Sequence, residues 1–447
     1  VLGGGYTFLL VTDRNELDKQ IYGTFAGVGA VKDKTARATS GENLKELLKS
    51  DKRFLFSIIH KFNFEEKITD RDNIIVISDE AHRTQGGSLA LNLRKALPNA
   101  SFIGFTGTPL FKDDELTRRI FGDYVSKYDF KRSIQDGSTV PLYYENRGEK
   151  LQIDNPQINQ EIREAIEQQD LDSDQEDKLL KLFAREYPIL TSEKRLKAIA
   201  KDVVEHFNTR GYKGKAMFVA MDKVTAVRMY DYISEAWETY LEIQQKEIDK
   251  IPDEQEKLNR QRKWDWSNET ELGVVVSSEQ NEIDKFEAWG LDIEPHRLKM
   301  NTSDLEKDFK DEDHPFRFAI VCAMWITGFD VKSLSTMYID KPLKSHTLMQ
   351  TIARANRVHK DKNNGLIVDY IETYKALLEA LAVYGDSDSK GAAADSDDAP
   401  VKPLEELGEE LDEAVRTIET FLVDECKFSL SKIIEAEDKL HKIKHIQ

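Results

Sequence analysis

Four short blocks of the chain carry residue types suited to chemistry on a phosphoryl group. Asp79-Glu80-Ala81-His82 sets two adjacent carboxylates directly after the apolar run Ile74 to Ile77. Phosphoryl transfer needs a cation to neutralise developing charge and a group to orient the attacking water. Asp79 suits the first task and Glu80 the second. An isolated Asp-Glu pair more often just ends a strand as a polar turn, so the pair gains weight only from its companions. The next apolar run leads into Gly104-Phe105-Thr106-Gly107-Thr108-Pro109. The hydroxyls of Thr106 and Thr108 can link a carboxylate site to a neighbouring contact, although alone the block reads as an ordinary Gly/Pro turn.

The other two blocks lie some two hundred residues further on. Gln350-Thr351-Ile352-Ala353-Arg354-Ala355-Asn356-Arg357 spaces Gln350, Arg354 and Arg357 four and three residues apart, one face of a helix. Arginine stays charged and donates in a fork, which suits charge developing on phosphoryl oxygens. No acid stands at salt-bridge spacing from Arg354, whereas Arg357 can pair with Asp361. Trp325-Ile326-Thr327-Gly328-Phe329-Asp330 offers a close approach at Gly328 and a carboxylate at Asp330. Alone, that block is more often a strand end without function.

The elements that must position these blocks follow from hydropathy. Short apolar runs at Tyr6 to Thr12, Phe54 to Ile59, Ile74 to Ile77 and Phe102 to Phe105 alternate with helical stretches. That pattern predicts a parallel α/β sheet with ligands at the carboxyl ends of its strands. A second such series runs through Ala216 to Ala220, Val274 to Ser277, Phe318 to Cys322, Thr336 to Ile339 and Gly365 to Asp369. The turn-rich Asp136 to Pro141 separates the two.

The order of the blocks resembles superfamily 2 helicases of the DEAH type, whose two RecA-like lobes clamp ATP between them. More closely, the wording is similar to the motor and endonuclease (R) subunit of type I restriction enzymes. The supporting stretches are VTDRNELDKQ, SDEAHRTQGG, FIGFTGTPL, DGSTVPLYYE, ITGFDVKSLSTMYIDKPLKSHTLMQTIARANRV and GLIVDY, in order between Tyr6 and Tyr370. The resemblance implies ATP and Mg²⁺ as cofactors. It gives Asp79 the metal and Glu80 the water, and it sends Arg354 and Arg357 to the γ-phosphate. Gln350 would contact nucleotide or water, Asp330 the ribose, and Gly328 would lie against the nucleotide. Thr106, Thr108 and His82 would couple hydrolysis to lobe movement, and Thr12, Arg14 and Thr327 would face nucleic acid. The implied partners are double-stranded DNA and the specificity and methyltransferase subunits of a restriction-modification complex. Two features of the family pattern are missing. Gly3-Gly4-Gly5 is followed by Tyr6-Thr7 rather than by Lys and Ser/Thr, so it is not a phosphate-binding loop. No nuclease motif occurs either, and this polypeptide alone is expected neither to hydrolyse ATP efficiently nor to cut DNA. The alternatives are another DEAH motor, such as a type III restriction subunit or a remodelling ATPase, and a non-catalytic scaffold that kept the fold.

The expected architecture is α/β with two RecA-like parallel-sheet lobes, the first truncated at its N-terminus, and a helical C-terminal segment. Residues 1–140 form the first lobe, 141–195 a largely helical connector, and 196–375 the second lobe with a helical insertion at about 234–270. Residues 376–403 form an acidic flexible linker, and 404–447 open a C-terminal helical region. The net charge of -18 argues against a surface coated for gripping nucleic acid. It leaves room for a local basic groove, because Asp386 to Glu413 holds eleven acids against only Lys390 and Lys402. The two cysteines, Cys322 and Cys426, cannot build a disulfide framework or a four-ligand zinc site. With no apolar run long enough to span a bilayer and no signal-peptide pattern, the expectation is a cytoplasmic protein with no membrane contact.

Overall fold

The computed structural model describes residues 5–13, 15–31, 36–79, 88–106, 121–122, 125–126, 128, 130–151, 187–211, 214–326, 328–343, 345–371, 373, 377 and 401–424. Arg14, Glu80, His82, Thr108 and Thr327 lie outside those residues, as do most of the expected connector and the low-complexity part of the expected linker.

The first sheet has four parallel strands in the order β2-β1-β3-β4, namely β1 (Thr7–Thr12), β2 (Phe54–Ile58), β3 (Ile74–Ser78) and β4 (Ser101–Gly104). Successive β1 residues feed opposite faces, as the pleat requires. Leu9 and Val11 join Leu55, Ile74 and Val76 on one side, while Leu10 joins Phe56 on the other. A strand buried on both faces reads as an unbroken apolar run rather than an alternation. Helix α1 (Asn15–Gly27) covers the second face, and α2 (Gly41–Lys49) and α3 (Ser88–Ala96) cover the first. Ser40 starts α2 by accepting a hydrogen bond from the Asn43 N–H at 3.1 Å.

The second sheet is parallel throughout and has seven strands, in the order β11-β5-β10-β9-β6-β8-β7. They are β5 (Leu142–Asn146), β6 (Lys215–Val219), β7 (Glu271–Val275), β8 (Phe316–Val321), β9 (Leu334–Ile339), β10 (Gly365–Asp369) and β11 (Val401–Pro403). Its faces are again sorted by the pleat. In β8, Ala319 and Val321 enter one core with Ile352 and Ala355, and Phe318 and Ile320 enter the other with Phe207 and Trp237. Two strands were not expected. Leu142–Asn146 falls in the predicted connector and Val401–Pro403 in the predicted linker, yet each pairs within this sheet. Both are short and polar-flanked, and their stability comes from partners remote in sequence rather than from local pattern.

The expected insertion is a helical hairpin packed beside α4 (Glu193–Thr209). It comprises α5 (Lys223–Ile248), capped by Asp222 on the Thr225 N–H, and α6 (Glu254–Asn268), capped by Asp253 on the Glu256 N–H. Pro252 breaks the chain between them, since proline cannot continue a helix ladder. Beyond three short helices between Glu282 and Lys310, α7 (Ser345–Ile352) belongs to the second sheet's first face, and α8 (Leu404–Asp424) begins the expected C-terminal helical region. No helix among the described residues is long and apolar enough to cross a membrane.

Candidate functional site

On the first sheet, parallel register delivers three predicted residues to one edge. Val11 pairs with Ser78, and Ser78 with Gly104. The residues that follow, Thr12, Asp79 and Phe105-Thr106, therefore leave the sheet side by side at its carboxyl end. The ladder continues one step past the strands: the Asp79 N–H donates to the Val11 carbonyl at 2.9 Å, and the Phe105 N–H to the Ser78 carbonyl at 2.8 Å. Thr12 is buried, while Asp79 and Thr106 are half-buried. A carboxylate fixed by backbone at the mouth of a sheet is placed to meet a ligand without losing side-chain order.

The second sheet gathers the other predicted residues, by a different route. Gln350 is buried in α7. The helix stops at Ile352, so Gln350, Arg354 and Arg357 do not share a helix face as their spacing suggested. Beyond Ile352 the backbone bonds elsewhere. The Ala355 N–H donates to Ile352 in a tightened turn, and the Asn356 carbonyl accepts the Val140 N–H at 2.8 Å. Arg357 then bridges antiparallel to Thr139. Long-range pairing with the segment entering β5 has replaced the helical i−4 bonds.

Arg354 nonetheless reaches back to the turn. Its Nε donates to the Gln350 carbonyl and its Nη1 to the Phe329 carbonyl, both at 3.0 Å. Arg357 Nε stands 3.3 Å from Asp330 Oδ1, both side chains nearly half exposed. That pair displaces the expected partner Asp361. The cluster Phe329-Asp330, Arg354 and Arg357 thus forms one corner. It lies at the amino ends of β5 and β10, not at carboxyl ends as predicted. A side chain on Gly365, the first residue of β10, would collide with the Ala355 carbonyl at 2.2 Å. The turn carrying Arg354 presses directly on that strand start.

Gly328 holds the left-handed φ of 74° that an L side chain rarely adopts. A β-carbon there would lie 3.4 Å from Leu17 Cδ2 of α1. The loop of Gly328 therefore touches the helix that follows β1 of the first lobe.

Lys362 joins the second corner without any sequence signal. It is buried, and its Nζ donates to the Leu334 carbonyl at 2.6 Å. Burial lowers its pKa to about 7; Arg357 adds to the drop and Asp330 opposes it. Asp340 and Arg195, 145 residues apart, were equally invisible. Arg195 grips the buried carboxylate with both Nη atoms, at 3.1 and 2.5 Å, and also donates to the Leu190 and Tyr370 carbonyls. Burial pushes the Asp340 carboxyl above its ordinary value, against the pull of Arg195.

Among the described residues, no group of three or more His, Cys, Asp or Glu is placed to hold a metal. A single carboxylate at a strand end is the donor set Mg²⁺ takes when phosphates and water complete its shell. The Asp79 carboxylate, at the end of β3, has the chemistry of such a donor.

Comparison with known proteins places these features. Residues 4–177 match the SWI2/SNF2 ATPase family, and residues 212–372 match domain 3 of the type I restriction enzyme R subunit. The chain is 35% identical over 418 residues to the HindI type I restriction enzyme endonuclease subunit of Haemophilus influenzae, covering 87% of this chain and 36% of the relative. It is 38% identical over 397 residues to a protein of Methanocaldococcus jannaschii described as the MjaIXP endonuclease subunit, covering 87% and 34%. The chain spans about a third of the length of these relatives. Among solved structures, a fragment described as an HsdR subunit of a type I restriction enzyme from Vibrio vulnificus is similar with a TM-score of 0.49 at 16% identity, over 89% of this chain and 56% of that one.

Proposed function

Since the chain is a homologue of the endonuclease (R) subunits of type I restriction enzymes, we propose that it is their ATP-driven motor portion, a translocase on double-stranded DNA. Its work would serve a restriction-modification complex with specificity and methyltransferase subunits, in the cytoplasm. The observation that carries the reading is the corner where Arg354 donates to the Phe329 carbonyl and Arg357 stands in ion-pair range of Asp330. Two guanidiniums on one loop form the kind of charge clamp a phosphoryl group requires.

ATP with Mg²⁺, when bound, supplies the phosphoryl transfer that drives movement. Asp79 is the residue to hold the metal, with Glu80 beside it to orient water. Asp330 would take the ribose, freeing Arg357 from a pair that is solvent-screened and cheap to open. Arg354, held by two carbonyls, positions the loop as well as contributing charge. Gln350 lines the same turn. Thr106, with Thr108 and His82, would pass the state of the carboxylate to the lobe contact at Gly328 and Leu17. Thr12, Arg14 and Thr327 would face DNA. No Gly-rich turn followed by Lys and Ser/Thr occurs in the sequence, so this polypeptide alone should turn ATP over weakly and leave DNA uncut.

The test uses the full-length subunit. Glu80→Gln should lower DNA-stimulated ATP turnover at least hundredfold, on the order of 3 kcal/mol of barrier, while DNA binding persists. Turnover that survives the substitution would remove Glu80 from the role. Vigorous DNA-stimulated turnover by the 447-residue chain alone would contradict the claim that it is idle.

A further inference from the structure

On the face of the second sheet opposite Arg354, a cavity of about 480 Å³ opens between the end of α4 and the α5–α6 hairpin. Its position is fixed by the hairpin. Trp264 Nε1 donates to the Leu241 carbonyl at 2.9 Å, and Trp237 Nε1 to the Ser267 carbonyl at 3.2 Å, so α6 cannot slide along α5. The walls combine two features seldom found together in so acidic a chain. Arg210, Arg260 and Lys263 line the cavity, and no Asp or Glu appears among its described lining residues. Tyr240 and Trp264 supply flat aromatic surface, while Trp266 stacks on Phe207 and carries Arg317 over its ring. Among the described residues, Arg260 pairs with Glu256, an exposed carboxylate 3.7 Å away and one turn along the helix.

The three cations call for an anion, and the aromatic rings for a flat apolar body.

We propose that this cavity binds a single nucleotide unit, with phosphate on the Arg260 and Lys263 side and an unstacked base against Trp264 and Tyr240. An inorganic anion leaves the rings unused. A duplex cannot enter a space of this size, whereas one splayed nucleotide fits the usual range for ligand pockets. The site stands apart from the ATP reading: it rests on other residues, on the other face of the sheet. Its ligand is either a free nucleotide or one unit of a single strand.

The experiment titrates the 447-residue chain, without Mg²⁺, with deoxyadenosine monophosphate, a fluorescein-labelled twelve-nucleotide single strand and inorganic phosphate. Both nucleotide probes should saturate. A monophosphate that competes as well as unlabelled strand identifies a free-nucleotide site, and a strand that binds more tightly identifies a strand site; either supports the proposal. Arg260→Glu with Lys263→Glu, both at exposed positions, should weaken binding at least tenfold without moving the melting temperature. Lys246→Glu, on α5 but outside the cavity, should leave it unchanged. Phosphate competing as well as nucleotide, equal losses in Lys246→Glu, unchanged affinity in the double variant, or no saturable binding would each overturn the assignment.

Discussion

The two lobes carry their chemistry at opposite ends of their sheets. In the first, Thr12, Asp79 and Thr106 issue from strand ends, and the ladder itself sets their spacing. In the second, Asp330, Arg354 and Arg357 sit on loops at the strand starts, held by carbonyls and by one exposed ion pair. A carboxylate proposed to hold a metal gains from rigid placement. Cations proposed to reach a ligand held by the other lobe gain from loops whose bonds are few and reversible. The second lobe offsets that freedom elsewhere, through the buried Arg195–Asp340 pair at the carboxyl ends of β9 and β10.

The largest effect should come from breaking that anchor. Arg195→Met leaves Asp340 uncompensated in a dry site and should destabilise the second lobe by about 3–5 kcal/mol, read as a lower denaturation midpoint. Adding Asp340→Leu should recover much of the loss. A single variant as stable as the parent would show that the loops, not the buried pair, hold this lobe together.

Next comes the point where the lobes touch. Gly328→Ala places a β-carbon at a φ of 74°, costing on the order of 1–2 kcal/mol, and sets it in ordinary contact with Leu17. Leu17→Ala in the same chain should remove that contact and leave the backbone strain. In the full-length subunit, turnover should fall more than stability does. Full activity of Gly328→Ala would mean the loop never closes on α1.

A smaller effect is a pH dependence confined to the second corner. Lys362 has a folded pKa of about 7 against an ordinary 10.5. Below 7 both states of the chain carry its proton, and above it only the unfolded chain does, until 10.5. Stability should therefore rise with pH across that window, by at most about 1.4 kcal/mol per pH unit. Lys362→Met should flatten the rise, measured by urea midpoints between pH 6.5 and 9. An identical slope in the variant would place the titration elsewhere.

How much of this was legible in the sequence divides along the same line. Nine strands announced themselves as short apolar runs, most plainly where burial on both faces makes the run continuous, as in FLLV of β1 and FAIV of β8. The residues at first-sheet ends could be placed from those runs alone. Leu142–Asn146 and Val401–Pro403 could not, because their partners lie hundreds of residues away or across a low-complexity stretch. The helix expected through Arg357 ended at Ile352 for a similar reason: Val140 competes for the Asn356 carbonyl, and local spacing says nothing of a competitor 216 residues upstream. Lys362 and the Arg195–Asp340 pair have no local signature at all.

The smallest expected change in stability tests the comparison most sharply. Arg357 and Asp330 are each nearly half exposed and 3.3 Å apart, so solvent screens most of their attraction. Asp330→Asn should shift stability by less than about 0.5 kcal/mol. If the pair is merely structural, nothing further should follow. If it is a latch that ligand opens, the full-length subunit should show a raised KM for ATP with Asp330→Asn, because the ribose loses an acceptor. Arg357→Lys should instead lower kcat, because a point charge replaces a fork that can donate twice. Equal effects of the two substitutions on both constants would return the pair to the scaffold and leave Arg354 alone as the second lobe's contribution.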